Sequence, residues 1–184
     1  MQYWPPPHWR PLTLFAQANT GTSRLALDHR QSEEALKASG AKRTMLRNGL
    51  YADRVVQQAV EMLKAGQVIV TPNEAKSALV TREDCAAVAA GALLNARFEN
   101  TAFDITGPAV IGVRDIAQAA SAITGKRIEV LEQPAGEATS GMAAGGIVTP
   151  PIVTNAVAEL SGRTATGLRA FLEANKAQLM AAAN

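Results

Sequence analysis

The chain has 184 residues, enough for one domain around a single sizeable core. Its 18 basic and 16 acidic residues leave a net charge of +2, too even a balance to argue for nucleic acid or an anionic membrane as partner. Apolar residues make up 47% and aromatics only 4%, so Leu, Val, Ile and Ala must fill the core. No apolar run approaches the roughly 18–20 residues of a membrane span, and a single cysteine, Cys85, excludes an internal disulfide and suits a cytoplasmic chain.

Residues 1–10 (MQYWPPPHWR) lack the charged and apolar regions of a signal peptide, and three successive prolines supply no backbone donors, so an extended lead-in is expected there. Residues 11–184 then read as one domain. Pro11 to Ala16 (PLTLFA) is a short apolar strand, and Gln17 to Ser23 is a polar loop. Leu25 to Ser39 has helical spacing and ends at Gly40. Arg43 to Leu46 is a second strand, followed by a turn at Asn48-Gly49. Tyr51 to Ala65 is amphipathic through Val55, Val56, Ala59, Met62 and Leu63, and stops at Gly66.

Gln67 to Val70 is β-prone, and Ser77 to Val80 reads as a short strand. Thr81 heads a helix whose first turn carries Glu83 and Asp84, where the helix dipole favours anions; the pattern runs to about Ala96. Thr101 to Thr106 is a strand closed by Gly107-Pro108. Val113 to Thr124 is a helix ended by Gly125, and Arg127 to Leu131 is a further strand. Gln133 to Pro151 is rich in Gly, Ala, Thr and Pro and shows no regular pattern. Ile152 to Leu160 has helical character, and Gly167 to Ala183 reads as one final helix. Strands alternating with helices predict parallel crossover units and an α/β class, with the first two strands and the helix between them as one such unit.

A complete dinucleotide fold opens with a strand, a glycine-rich turn and a helix N-terminus that receives the pyrophosphate. Gly141 to Gly146 (GMAAGG) has the glycines but follows no clear strand and lacks an acidic residue at the right distance beyond it. No phosphate loop, CxxC, HExxH or GxSxG is present, and two histidines, His8 and His29, are too few for a histidine-rich metal site.

Three stretches in order carry a family resemblance. They are ANTGTSRLALDHRQSEEALKASG (18–40), TMLRNGLYAD (44–53) and ALVTREDCAAVAAGALL (78–94), the last followed by the strand FDITG. Together they resemble the NmrA-like atypical short-chain dehydrogenase/reductases of the NAD(P)H:quinone reductase type, through an HxxxE helix, LRNGxY after a strand, and AxxTRxDxA. The resemblance covers roughly residues 12–132. It implies the carboxyl-terminal half of a Rossmann-type parallel sheet with flanking helices and a small substrate-side region. The matched region begins at about the family's fifth strand, so the glycine-rich βαβ unit would precede residue 11. A truncated form with impaired cofactor binding is the expectation.

The resemblance also implies roles. His29 lies where ordinary short-chain reductases carry the lysine of YxxxK, facing the nicotinamide ribose. The matching tyrosine position is Leu25, which has no proton to donate, so hydride would pass from a bound NADP or NAD directly to a quinone-like substrate. Cofactor contacts are expected at Thr13, His29 and Asn48, and substrate contacts at Gln17, Asn48, Gly49 and Tyr51, with no catalytic acid among them. Glu33, four residues after His29, is on the same helical face and orients or pairs with the imidazole, or is simply solvated. Arg82 and Asp84 read as structural, as a cap and a pair, and Cys85 as a small buried residue. Alternatives are a non-catalytic NAD(P)-sensing regulator and a partner-binding α/β module. Parallel sheets normally have both faces covered, so an exposed sheet surface implies a homo-oligomer.

Overall fold

The computed structural model describes residues 12–16, 24–72, 74–133 and 152–184. The lead-in at 1–10, the loop at 17–23 and the glycine-rich stretch at 141–146 lie outside the described residues, as do the side chains of Thr13 and Leu25. In chain order the strands are β1 (Leu12–Ala16), β2 (Thr44–Asn48), β3 (Gln67–Val70), β4 (Thr101–Ile105) and β5 (Glu129–Glu132). The helices are α1 (Arg24–Ala38), α2 (Asp53–Ala65), α3 (Arg82–Leu94), α4 (Val113–Thr124), α5 (Ala156–Ser161), α6 (Leu168–Ala174) and α7 (Lys176–Ala183).

The strands form two parallel sheets. The larger has the order β1-β2-β4. β2 is its centre: Asn48 stands opposite Ala16 on one side and Ile105 on the other. The β1-α1-β2 unit is therefore the crossover that the sequence predicts. The smaller sheet pairs β3 with β5, from Gln67 opposite Glu129 to Val70 opposite Glu132. This is the expected α/β class, a partial Rossmann-type parallel sheet with flanking helices and a smaller region beside it.

Each sheet has its own core. Leu46 and Ile105 from the large sheet pack against Cys85, Val88 and Ala92 of α3 and against Val157 and Leu160 of α5. Phe98 and Phe103 meet edge to face there, with centroids 5.5 Å apart. The second core gathers Val55, Ala59 and Leu63 of α2, Ile116 and Ala120 of α4, and Leu172 and Leu179 of α6 and α7. The periodicity of α2 and α4 gives each an apolar stripe for this core, and each ends at a glycine with positive φ, Gly66 and Gly125, whose N–H returns to the last turn.

Several boundaries differ from the sequence reading. The strand expected at 43–46 runs on to Asn48, because ladders on both sides hold Arg47 and Asn48 extended and override the turn chemistry of Asn-Gly. Tyr51 precedes α2 and bridges to Val80. The expected strand at 77–80 is reduced to two isolated bridges, Tyr51 with Val80 and Ser77 with Ile111. α3 stops at Leu94, where the Asn95 side chain accepts the Arg97 N–H and starts a 3-10 turn. β5 begins at Glu129, and the helix expected over 152–160 is confined to Ala156–Ser161. The final helix is two, broken at Asn175, whose side-chain amide donates to the Phe171 carbonyl.

α3 and α5 approach backbone to backbone at Gly91, where a Cβ would lie 1.8 Å from the Leu160 carbonyl oxygen. Gly91→Ala must push α5 off α3, an overpacking cost of about 1–3 kcal/mol. Thermal denaturation is expected to show a Tm lower by about 5 °C, whereas Ala90→Ser, at an exposed position on α3, stays within about 2 °C of the parent.

Candidate functional site at the carboxyl end of the large sheet

Because β1, β2 and β4 are parallel, their carboxyl ends share one rim, where open α/β sheets bind ligands. Asn48 ends β2 there and is only 2% exposed. Its side-chain Nδ2 donates to the Tyr51 hydroxyl at 3.2 Å, while Oδ1 is buried with no hydrogen-bond partner among the described residues. A buried acceptor left unmatched costs about 1–3 kcal/mol, so such atoms commonly mark a place that something else fills. Gly49, also buried, donates its N–H to the Ile105 carbonyl at 2.8 Å. The turn from Gly49 to Ala52 is clamped from outside: Val80 N–H donates to Leu50, and Ala52 N–H donates to Val80.

Tyr51 is held from several sides. The Arg82 guanidinium lies 4.2 Å from its ring centroid, and both Asp53 carboxylate oxygens accept from Arg82 Nε, at 3.0 and 2.9 Å. The ring also packs on the core that contains Val80 and Val88. The hydroxyl, whose oxygen already accepts from Asn48, keeps its own hydrogen to donate. Arg82 thus pairs with Asp53 rather than with Asp84.

α1 returns from the carboxyl end of β1 to the amino end of β2, so its first turns lie toward the rim. His29 is half-buried there, one turn before Glu33. Glu33 accepts both arms of the Arg47 guanidinium, Nε on Oε1 and Nη2 on Oε2, each at 2.7 Å. The Arg47 bond is the main cause that holds the Glu33 carboxyl below its ordinary pKa; burial opposes it, and the nearby charges of Arg47, Lys37 and His29 add to it. Arg47 also lies 3.9 Å from Asp104, whose pKa burial raises against the pull of that arginine. Thr13 is in β1 opposite Met45, and Gln17 is outside the described residues.

Two polar ties at this end of the molecule are invisible in the sequence. Asp84, fully buried, accepts the Thr166 N–H at 2.8 Å, while Thr81 caps α3 by accepting the Asp84 N–H at 3.1 Å. Thr154 donates its hydroxyl to the Asp104 carbonyl at 2.6 Å, and its N–H goes to Thr106 at 2.9 Å. These partners lie 82, 50 and 48 residues apart, beyond the reach of any local pattern. A cavity of about 70 Å³ behind Ala52, lined by Val55, Leu79, Pro108, Ile111 and Phe171, is too small for an aromatic ring, since a cavity of about 150 Å³ is what holds benzene. Cys85 is buried, and desolvation pushes its thiol up to about 11, so it is not a thiolate nucleophile near neutral pH. Among the described residues no cluster of His, Cys, Asp and Glu could hold a metal ion, and no helix is long and apolar enough to cross a membrane.

No family model matches the chain. Among curated proteins it is 30% identical over 116 residues to quinone oxidoreductase 2 of Escherichia coli, covering 63% of this chain and 41% of that protein. It is 25% identical over 130 residues to the NAD(P)H azoreductase of Xenophilus azovorans, covering 71% and 45% respectively. The chain thus spans less than half the length of these two relatives. Among solved structures, an NADPH-dependent quinone oxidoreductase from Escherichia coli superposes with a TM-score of 0.68 at 23% identity, over 90% of this chain and 66% of that one. The NADP(H) complex of a Citrobacter triphenylmethane reductase gives 0.69 at 21% identity, over 95% and 65%.

The Glu33–Arg47 fork has a direct energetic signature. Glu33→Gln removes the carboxylate facing Arg47 and is expected to cost about 2–3 kcal/mol, at or below the lower end for enclosed pairs, because Arg47 keeps 19% exposure. The lowered pKa of Glu33 means that the stabilisation is present above the ordinary carboxyl value of 4.5 and is lost as pH falls below it. Urea denaturation of parent and variant should therefore differ at pH 7 and converge in strong acid. The chain carries the fold of the NmrA-like atypical short-chain dehydrogenase/reductases that its sequence resembles.

Proposed function

We propose that residues 11–184 are a partial NAD(P)-binding domain, the substrate-side part of an NAD(P)H-dependent oxidoreductase that reduces quinone-like compounds in the cytosol. The observation that carries this reading is the Asn48–Tyr51 pair: a buried carboxamide oxygen with no partner among the described residues and a hydroxyl with a hydrogen to give, side by side on the rim at the carboxyl end of the sheet. The likeness to quinone and azo reductases favours an enzyme over a non-catalytic regulator.

A dihydronicotinamide, when bound, supplies two electrons and a proton as hydride. Tyr51 then donates its hydroxyl hydrogen to a carbonyl of the substrate, polarising it and fixing its direction. Arg82 and Asp53 hold the ring, so the hydroxyl is placed in advance rather than ordered on binding. Gly49 has no side chain and lets a flat ligand approach the backbone. His29, near the rim on α1, is the partner for a ribose hydroxyl, Thr13 of β1 is a second cofactor contact, and Gln17 completes the substrate contacts. The hydroquinone product takes its second proton from water, so the reaction balances without a protein acid.

With NADPH and a 1,4-naphthoquinone, absorbance at 340 nm is expected to fall in proportion to protein added. Tyr51→Phe should lower kcat/KM by about 10-fold through the lost hydrogen bond. An absence of oxidation by a chain that binds NADPH would overturn the quinone reading. The same proposal includes self-association. β1 has no outer neighbour among the described residues, and Ile69 and Leu131 are exposed on the small sheet. Light scattering is expected to give a mass at a multiple of the single chain, and a monomer at all concentrations removes this part.

A further inference from the structure

We infer that Asn48 Oδ1 accepts a hydrogen bond from the carboxamide NH2 of the nicotinamide, and so sets the rotation of the ring that carries the hydride; this rests on the reading above. The argument is one of hydrogen-bond polarity. Asn48 Nδ2 is committed to the Tyr51 oxygen, which turns Oδ1 to the remaining side of the amide. Oδ1 is buried with no partner among the described residues, and an amide oxygen can only accept.

A quinone offers carbonyl oxygens alone and has no hydrogen for Oδ1. Binding the substrate there would bring two acceptors together and leave the mismatch in place. The nicotinamide carboxamide has what is missing, an N–H donor on the ring substituent next to the reacting carbon. The Tyr51 hydroxyl, donating, matches the quinone in turn. One hydrogen bond, from Asn48 to Tyr51 at 3.2 Å, thus joins an acceptor for the cofactor to a donor for the substrate. A carboxamide held at one end fixes the ring about its glycosidic bond, and with it the face from which hydride leaves.

The test compares NADPH with its reduced 3-acetylpyridine analogue, in which a methyl ketone replaces the carboxamide: the carbonyl and the shape are kept and the NH2 is lost. Dissociation constants are measured by calorimetry, without substrate, so that turnover plays no part. The parent protein is expected to bind the analogue about 10-fold more weakly, since Oδ1 stays unmatched under it. In Asn48→Ala the two dinucleotides should bind alike, both near the weaker value, and Tyr51→Phe, which removes the acceptor that orients the Asn48 amide, should narrow the discrimination. The parent comparison stands by itself should Asn48→Ala fail to fold.

Equal affinities in the parent overturn the inference and leave the oxidoreductase reading intact. That result is also expected if an ordered water or a ribose hydroxyl satisfies Oδ1, because both dinucleotides share those groups. Failure to bind NADPH at all overturns both the inference and the reading on which it rests.

Discussion

Arg47 sits in the central strand of the large sheet and must satisfy a charge that is mostly withdrawn from water. Glu33 meets it with both carboxylate oxygens, and that fork ties α1 to β2. The consequences spread through strand alternation. Successive side chains point to opposite faces, so Arg47 on the α1 face puts Leu46 and Asn48 on the other. Leu46 then enters the core under α3, and Asn48 is buried at the rim. A slip of one residue would send Arg47 into the apolar core and Asn48 toward α1. The ion pair thus fixes the register in which the site exists, although its net contribution to stability is modest once desolvation is counted.

Where the sequence was informative, the signals were local. Glycines marked the ends of α1, α2 and α4, Thr81 marked the start of α3, and the apolar stripes of α2 and α4 marked the faces that meet in the second core. Alternation of strands and helices was enough for the α/β class and for the β1-α1-β2 unit. What the sequence hid depends on neighbours distant in the chain. Asn48-Gly49 has turn chemistry, yet two parallel ladders draw Asn48 into the strand. Asn175 breaks the last helix where composition alone reads through. Glu33 looked like a partner for His29 four residues away, but its fork closes on Arg47, 14 residues on. Asp84 looked like a partner for Arg82, whereas burial sends it to Thr166.

The candidate site was legible in part. The stretch from Asn48 to Tyr51 stood out as a rim loop, and it is where the structure leaves a polar atom unmatched. The roles of those atoms were not legible, because donor and acceptor assignments follow from who already bonds to whom. Cys85 was legible throughout. Its sequence reading as a small buried residue holds, and burial, with Asp84 beside it, moves the thiol further from a thiolate.

The backbone contact between Gly91 and Leu160 bears on how the first core opens. Most helix pairs touch through side chains, which can shift rotamer and absorb small displacements without letting in water. At this crossing the carbonyl of α5 rests where the glycine has no Cβ, so no rotamer is available there to take up strain. α3 and α5 are then mechanically one block, although 60 residues lie between the Leu94 end of α3 and Asn155 at the head of α5. Amide protons on the inner faces of the two helices should exchange together, in a single cooperative opening that also frees Thr166 from Asp84.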